Sequence, residues 1–214
     1  AIDSLKRELA KGDVAAFIFE PLIQGAAGMR MYKAETLNKL MQICKEAGVL
    51  CIADEVMTGF GRTGKMFACD HEKVTPDLMA LSKGLSGGYL PLAATLTTEK
   101  IYDAFLGDIS EQKAFSHGHT FTANPLSCAA ALASLKAMER DKVLEKMNPK
   151  VHWFGNALQE FYKIRQVGDI RMIGMAAGIE LVQDGATKES FPPEIRMGHR
   201  VTETTHYFAG VDVH

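Results

Sequence analysis

Residues 49–84 read VLCIADEVMTGFGRTGKMFACDHEKVTPDLMALSKG, and the fold turns on this stretch. Its first five residues are a continuous apolar run, the pattern of a strand buried on both faces of a sheet. The run ends on Asp54. Residues 78–81 form a second run, and Lys83 comes two residues after its last leucine. Just upstream, Leu37, Leu40, Met41, Cys44 and Ala47 recur at the spacing of an amphipathic helix, and Gly48 is its natural stop. Farther out lie apolar runs at 14–19 and 92–96. Strands alternating with helices predict an α/β fold with a mostly parallel sheet covered by helices.

The texture changes beyond residue 120. Asn124 is placed to cap a helix whose first position is Pro125. Residues 126–138, rich in Ala and Leu, predict a long, closely packed helix, and 143–164 predict another. Residues 167–182 hold two short apolar runs broken by Gly174, as in a hairpin or small sheet. After Ser190 little pattern is legible. The expected division is a larger α/β part over 1–140 and a smaller α+β part over 141–214.

Composition narrows the function classes. The 24 basic and 26 acidic side chains leave a net charge of −2, so nothing recommends a nucleic-acid or anionic-membrane partner. The apolar runs are too short to span a bilayer. The N-terminal residues alternate charge with apolar positions and lack a signal-peptide layout. The four cysteines (Cys44, Cys51, Cys69 and Cys128) are scattered without a CxxC pair, which suggests a reduced, cytoplasmic protein.

In open α/β sheets ligands bind beyond the carboxyl ends of the strands. Three candidate strands each deliver a charged residue there: Glu20, Asp54 and Lys83. Glycine-bearing loops at 24–28, 59–64 and 84–88 surround them. Each residue alone has a plainer explanation. Lys83 could be a surface lysine, Asp54 a turn cap, Val56 ordinary core and Thr120 an ordinary strand residue. The segment from Gly59 to Lys65 also fits GxxxxGK, the phosphate loop of an NTPase. That reading fails, because Met66 stands where a Ser or Thr must reach the metal, and the loop trails the acidic pair instead of leaving a strand to open a helix. His117 and His119 lack the carboxylate or thiolate partners of a metal site, so no metal is expected.

Residues 52–84 resemble the signature of the class III (subgroup II) aminotransferases of fold type I, with the same separation between aspartate and lysine. The resemblance extends over about residues 10–182. It implies pyridoxal 5'-phosphate as cofactor, with Lys83 holding it covalently and acting as general acid and base. Asp54 would pair with the pyridine nitrogen and keep it protonated. Val56, two residues along a locally extended chain, would face the same way and pack on the ring. Thr120, with His119 beside it, would bind the cofactor phosphate from across a homodimer interface. Gly118 and Glu20 would lie on the substrate side. Because lysine is ordinarily protonated at neutral pH, a buried or charge-rich setting is expected around Lys83.

Within the class, EPLIQGAAGMRMY, GKMFACDHE, LPLAATLTTEKIYDAF and SHGHTFTANPLSCAAALASL resemble the diaminopelargonate aminotransferases of biotin synthesis. Met57, where many ω-amino-acid relatives carry Gln, points the same way. That subgroup moves an amino group onto 8-amino-7-oxononanoate, with S-adenosylmethionine or, in some relatives, lysine as donor. Two alternatives stand beside it: a general ω-amino acid:2-oxo acid aminotransferase, and a non-catalytic remnant. The family's subunit is much longer than this chain, and residues 200–214 match it poorly. The chain is therefore expected to be a fragment, without the usual Gly-Ser phosphate loop, stacked aromatic residue and carboxylate-binding arginine.

Overall fold

The computed structural model describes residues 2–209. The N-terminal segment forms α1 (Ile2–Leu9), whose Leu5 joins Leu40, Cys44, Val49 and Cys51 in one buried cluster. Then come β1 (Ala16–Phe19) and two very short strands, β2 (Ile23–Gln24) and β3 (Arg30–Met31), paired antiparallel. The helix expected over 34–47 is α2 (Ala34–Glu46). It buries Leu37, Leu40 and Cys44, three of the positions that set its spacing.

The runs at 49–53, 78–81 and 92–96 become β4 (Leu50–Asp54), β5 (Leu78–Leu81) and β6 (Ala94–Thr97). With β1 they form a four-stranded sheet in the order β1-β4-β5-β6. The first three strands are parallel, and β6 runs antiparallel to β5. Among the described residues no strand pairs with the outer side of β1. Phe19 is opposite Ala53, and Asp54 opposite Ala80, so the carboxyl ends of the three parallel strands come out together.

A short helix, α3 (Glu99–Asp103), leads into an irregular segment and then α4 (Pro125–Arg140). Asn124 caps α4 as expected: its Oδ1 accepts from the amides of Leu126 (3.0 Å) and Ser127 (3.2 Å). The expected close packing is not found. Ser127 and Ala131 are buried, but Leu126 and Leu132 lie exposed, because no described residue covers that flank.

α5 (Val143–Gln159) precedes a three-stranded antiparallel sheet of β7 (Val167–Ile173), β8 (Ala176–Asp184) and β9 (Glu189–Ser190). Its hairpin turns at Gly174, where the sequence broke. The tail after Ser190 is more ordered than its pattern suggested, since α6 (Met197–Ala209) occupies it. Thr202 and Thr204 and Thr205 are poor helix formers, and their hydroxyls donate to carbonyls four residues back. Residues 210–214, part of the stretch that resembles the family poorly, lie outside the described residues. Among the described residues no helix is long and apolar enough to cross a membrane.

The main core cluster holds Leu22, Ile23, Leu37, Ala53, Ala68, Cys69 and Ala176. It gathers the loops leaving β1 and β4 against the β7–β8 hairpin.

Candidate active site

Adjacent strands in a sheet lie about 4.8 Å apart. In-register ends of β1, β4 and β5 therefore present Glu20, Asp54 and Lys83 along one rim. Asp54, half-buried, is the last residue of β4, and its Oδ1 accepts from the Val56 amide at 3.1 Å. Among the described residues Oδ2 has no recorded hydrogen bond. Lys83 opens a 3₁₀ turn, Lys83–Ser86, with a backbone φ of 42°. A left-handed backbone costs a non-glycine residue roughly 1–2 kcal/mol, and such local strain tends to gather where a side chain must be aimed. The preceding Ser82 hydroxyl donates to Leu92 O at 2.7 Å and fixes the approach. The Lys83 side chain is exposed, so the buried setting expected for it is not supplied by the described residues.

Val56 departs from expectation. The chain turns at once after β4, with the Gly59 amide donating to Glu55 O at 2.9 Å, so 54 and 56 do not share the face of an extended strand. The cause is Glu55, a residue that sequence reasoning passed over. Its carboxylate is fully buried and accepts from the Thr58 hydroxyl (2.5 Å) and the amides of Ala68 (3.0 Å) and Cys69 (2.8 Å). A buried carboxylate needs such a set of donors to offset its lost hydration. Here they tie both ends of the loop over 55–69 together beside Asp54. Burial, with Glu55 next in effect, pushes the Cys69 thiol well up from its ordinary value.

Glu20 is held by its own loop. Its Oε1 accepts from the Gly25 amide at 3.1 Å, and its carbonyl accepts from the Tyr32 hydroxyl at 2.8 Å. Burial pushes the Tyr32 phenol up to about 12.

The second group of expected residues behaves differently. Gly118, His119 and Thr120 are all exposed, in a segment whose every residue from 102 to 123 is exposed. The loop's hydrogen bonds are internal: His119 N donates to Thr122 Oγ1 at 2.9 Å, and His119 Nδ1 accepts from Phe121 N at 3.2 Å. Thus Glu20, Asp54 and Lys83 come together, and no recorded hydrogen bond or ion pair among the described residues ties 118–120 to them. Among those residues no three His, Cys, Asp or Glu side chains form a metal-binding group.

A protein-family model, aminotransferase class-III, matches residues 1–205. An adenosylmethionine-8-amino-7-oxononanoate aminotransferase of Geobacter sulfurreducens is 53% identical over 190 residues, covering 89% of this chain and 42% of that protein. The crystal structure of the enzyme of that name from Methanocaldococcus jannaschii superposes with a TM-score of 0.90 at 46% identity, over 94% of this chain and 48% of the other. An (S)-enantioselective omega-transaminase from Thermomicrobium roseum gives 0.88 at 31% identity, over 96% and 46%. The chain thus spans less than half the length of the proteins it matches.

Proposed function

The chain belongs to the class-III aminotransferase family, and on that premise we propose that its protein moves an amino group onto 8-amino-7-oxononanoate to give 7,8-diaminononanoate for biotin synthesis. S-adenosylmethionine is the proposed donor. The observation that carries the reading is the placement of Asp54 and Lys83 at the carboxyl ends of adjacent parallel strands, inside the segment that resembles the family signature.

These two residues suit pyridoxal phosphate by their chemistry. A primary amine offers the covalent anchor, and a carboxylate whose Oδ2 has no partner among the described residues offers an acceptor for a protonated ring nitrogen. When bound, the cofactor supplies an aldehyde for the amine and an electron-withdrawing ring. Lys83 Nζ would carry the proton between the substrate carbon and the carbon of the cofactor's aldehyde. Asp54 would keep the ring nitrogen protonated, and Val56 would pack beside the ring on the strength of family resemblance alone. Thr120 and His119 would bind the phosphate from a second copy of the chain, with Gly118 and Glu20 on the substrate side. This makes the homodimer part of the proposal, and with it cover for the exposed Lys83. A division into 1–140 and 141–214, and a cytoplasmic location suited to four free thiols, belong to the same reading.

The intact natural protein should restore growth to a biotin-requiring strain lacking this step. Lys83→Ala should abolish that rescue and the yellow colour of lysine-bound cofactor, while far-ultraviolet circular dichroism stays unchanged. Failure to rescue together with brisk turnover of 4-aminobutyrate or ornithine would instead establish a general ω-aminotransferase. Failure in every assay, with no cofactor colour, would leave a non-catalytic remnant.

A further inference from the structure

Arg171, in the middle of β7, sends its guanidinium away from its own sheet toward the turn between β2 and β3. Nε donates to Met29 O and Nη2 to Gly28 O, each at 3.2 Å. Two carboxylates anchor the group from behind, Asp169 through Nη1 (2.9 Å) and Glu180 through Nη2 (2.8 Å). The side chain is only 24% exposed. A planar fork can serve four acceptors in different directions, which a lysine ammonium on its flexible stem cannot do in the same way.

The turn it grips needs support. Gly28 and Met29 have φ of 87° and 54°, consecutive left-handed residues of which one carries a side chain. The amides of both donate to Gly25 O, at 3.2 and 3.1 Å, and the Gly25 amide donates to Glu20 Oε1. The hydrogen-bonded path therefore runs from Arg171 through the turn to the Glu20 carboxylate. Opposite Arg171 on β8 stands Gly178, where an added Cβ would meet Met29 Cβ at 2.9 Å. The strand can approach the turn this closely only because that residue is glycine. The tip of the same hairpin docks on the other rim loop. Met175 N donates to Arg62 O at 2.9 Å, and a Cβ on Gly174 would lie 2.3 Å from the Thr63 carbonyl carbon.

We propose that Arg171 is a positioning residue for the amino-acceptor side of the site, clamping the Gly25–Met29 turn so that Glu20 is held at the strand rim. The proposal rests on the function proposed above, and its test separates the two. In the intact natural protein with cofactor bound, Arg171→Gln should speed hydrogen exchange of the 28 and 29 amides about tenfold or more and leave the Ala68 and Cys69 amides unchanged. KM for the amino acceptor should rise about tenfold, with kcat within about twofold. Arg171→Lys should recover only a small part of either change. In a Glu20→Gln background Arg171→Gln should add less than about twofold to KM, because both changes disturb one path. Gly178→Ala, which crowds Met29 and keeps the cation, should give the same local exchange.

Unchanged exchange at 28 and 29 would overturn the clamp. So would a KM effect that persists in full without the Glu20 carboxylate. If the unsubstituted protein transaminates nothing, the proposed function falls, and the exchange measurements still judge the clamp.

Discussion

The strand rim and the segment between α3 and α4 carry three expected site residues each, and they are fixed by opposite means. Around Glu20, Asp54 and Lys83 the chain closes on itself: the buried Glu55 ties the loop over 55–69, and Tyr32 and Gly25 hold Glu20. Around Gly118, His119 and Thr120 nothing is buried, and large apolar side chains face solvent, Ile109 at 98% and Phe121 at 72% exposure. Positions that a chain must hold by itself acquire buried hydrogen bonds. In the second region the exposed apolar side chains are suited to contact with a further surface.

The largest test of this contrast is Glu55→Ala. It leaves two buried amides and a hydroxyl without their acceptor, at roughly 1–3 kcal/mol each. A loss of at least about 3 kcal/mol in urea unfolding is expected, with increased exchange at the Ala68 and Cys69 amides. Next comes pH. Burial holds the protons on Tyr32 and Cys51, each pushed up to about 12 from ordinary values of 10.0 and 9.0. The unfolded chain releases those protons first, so it binds fewer than the folded one over this range. Their contribution to stability is therefore complete below about pH 9 and is lost as pH rises toward 12. Urea midpoints measured along that range should fall, and Tyr32→Phe should flatten the part of the decline above pH 10.

Smaller effects belong to the exposed side. Asn124→Ala removes the cap of α4 and should cost about 1 kcal/mol in the same unfolding assay. Thr120→Ala should change stability by less than about 0.5 kcal/mol, as exposed substitutions do. A cost from Thr120→Ala comparable with that of Glu55→Ala would dissolve the contrast between the two regions.

The sequence made the rim legible because strand ends advertise themselves: an apolar run stops, and the next charged residue lies on the edge. The fold, the helix over 34–47, the hairpin at Gly174 and the Asn124 cap all came from such local signals. Glu55 did not, although it adjoins Asp54. Its burial depends on amides 13 and 14 residues away, brought back by the turn at Ala68–His71. Arg171 was missed for the same reason on a larger scale, since its carbonyl partners lie 142 and 143 residues away. The one local hint was a lone arginine in an apolar run. α6 escaped because its threonines argue against a helix, and the backbone at Val56 was expected to be extended because a strand was assumed to continue past Asp54.

Among the described residues one flank of β1 has no strand beside it, and this has a practical consequence. A strand with one unpaired side is a row of backbone donors and acceptors waiting for a partner, and edges of this kind seed chain-to-chain pairing. β1 has only four residues, which limits the hazard, but it carries no charge, and Ile18 on it is 62% exposed. In a purified sample of this chain, that edge is the expected place for a second chain to pair.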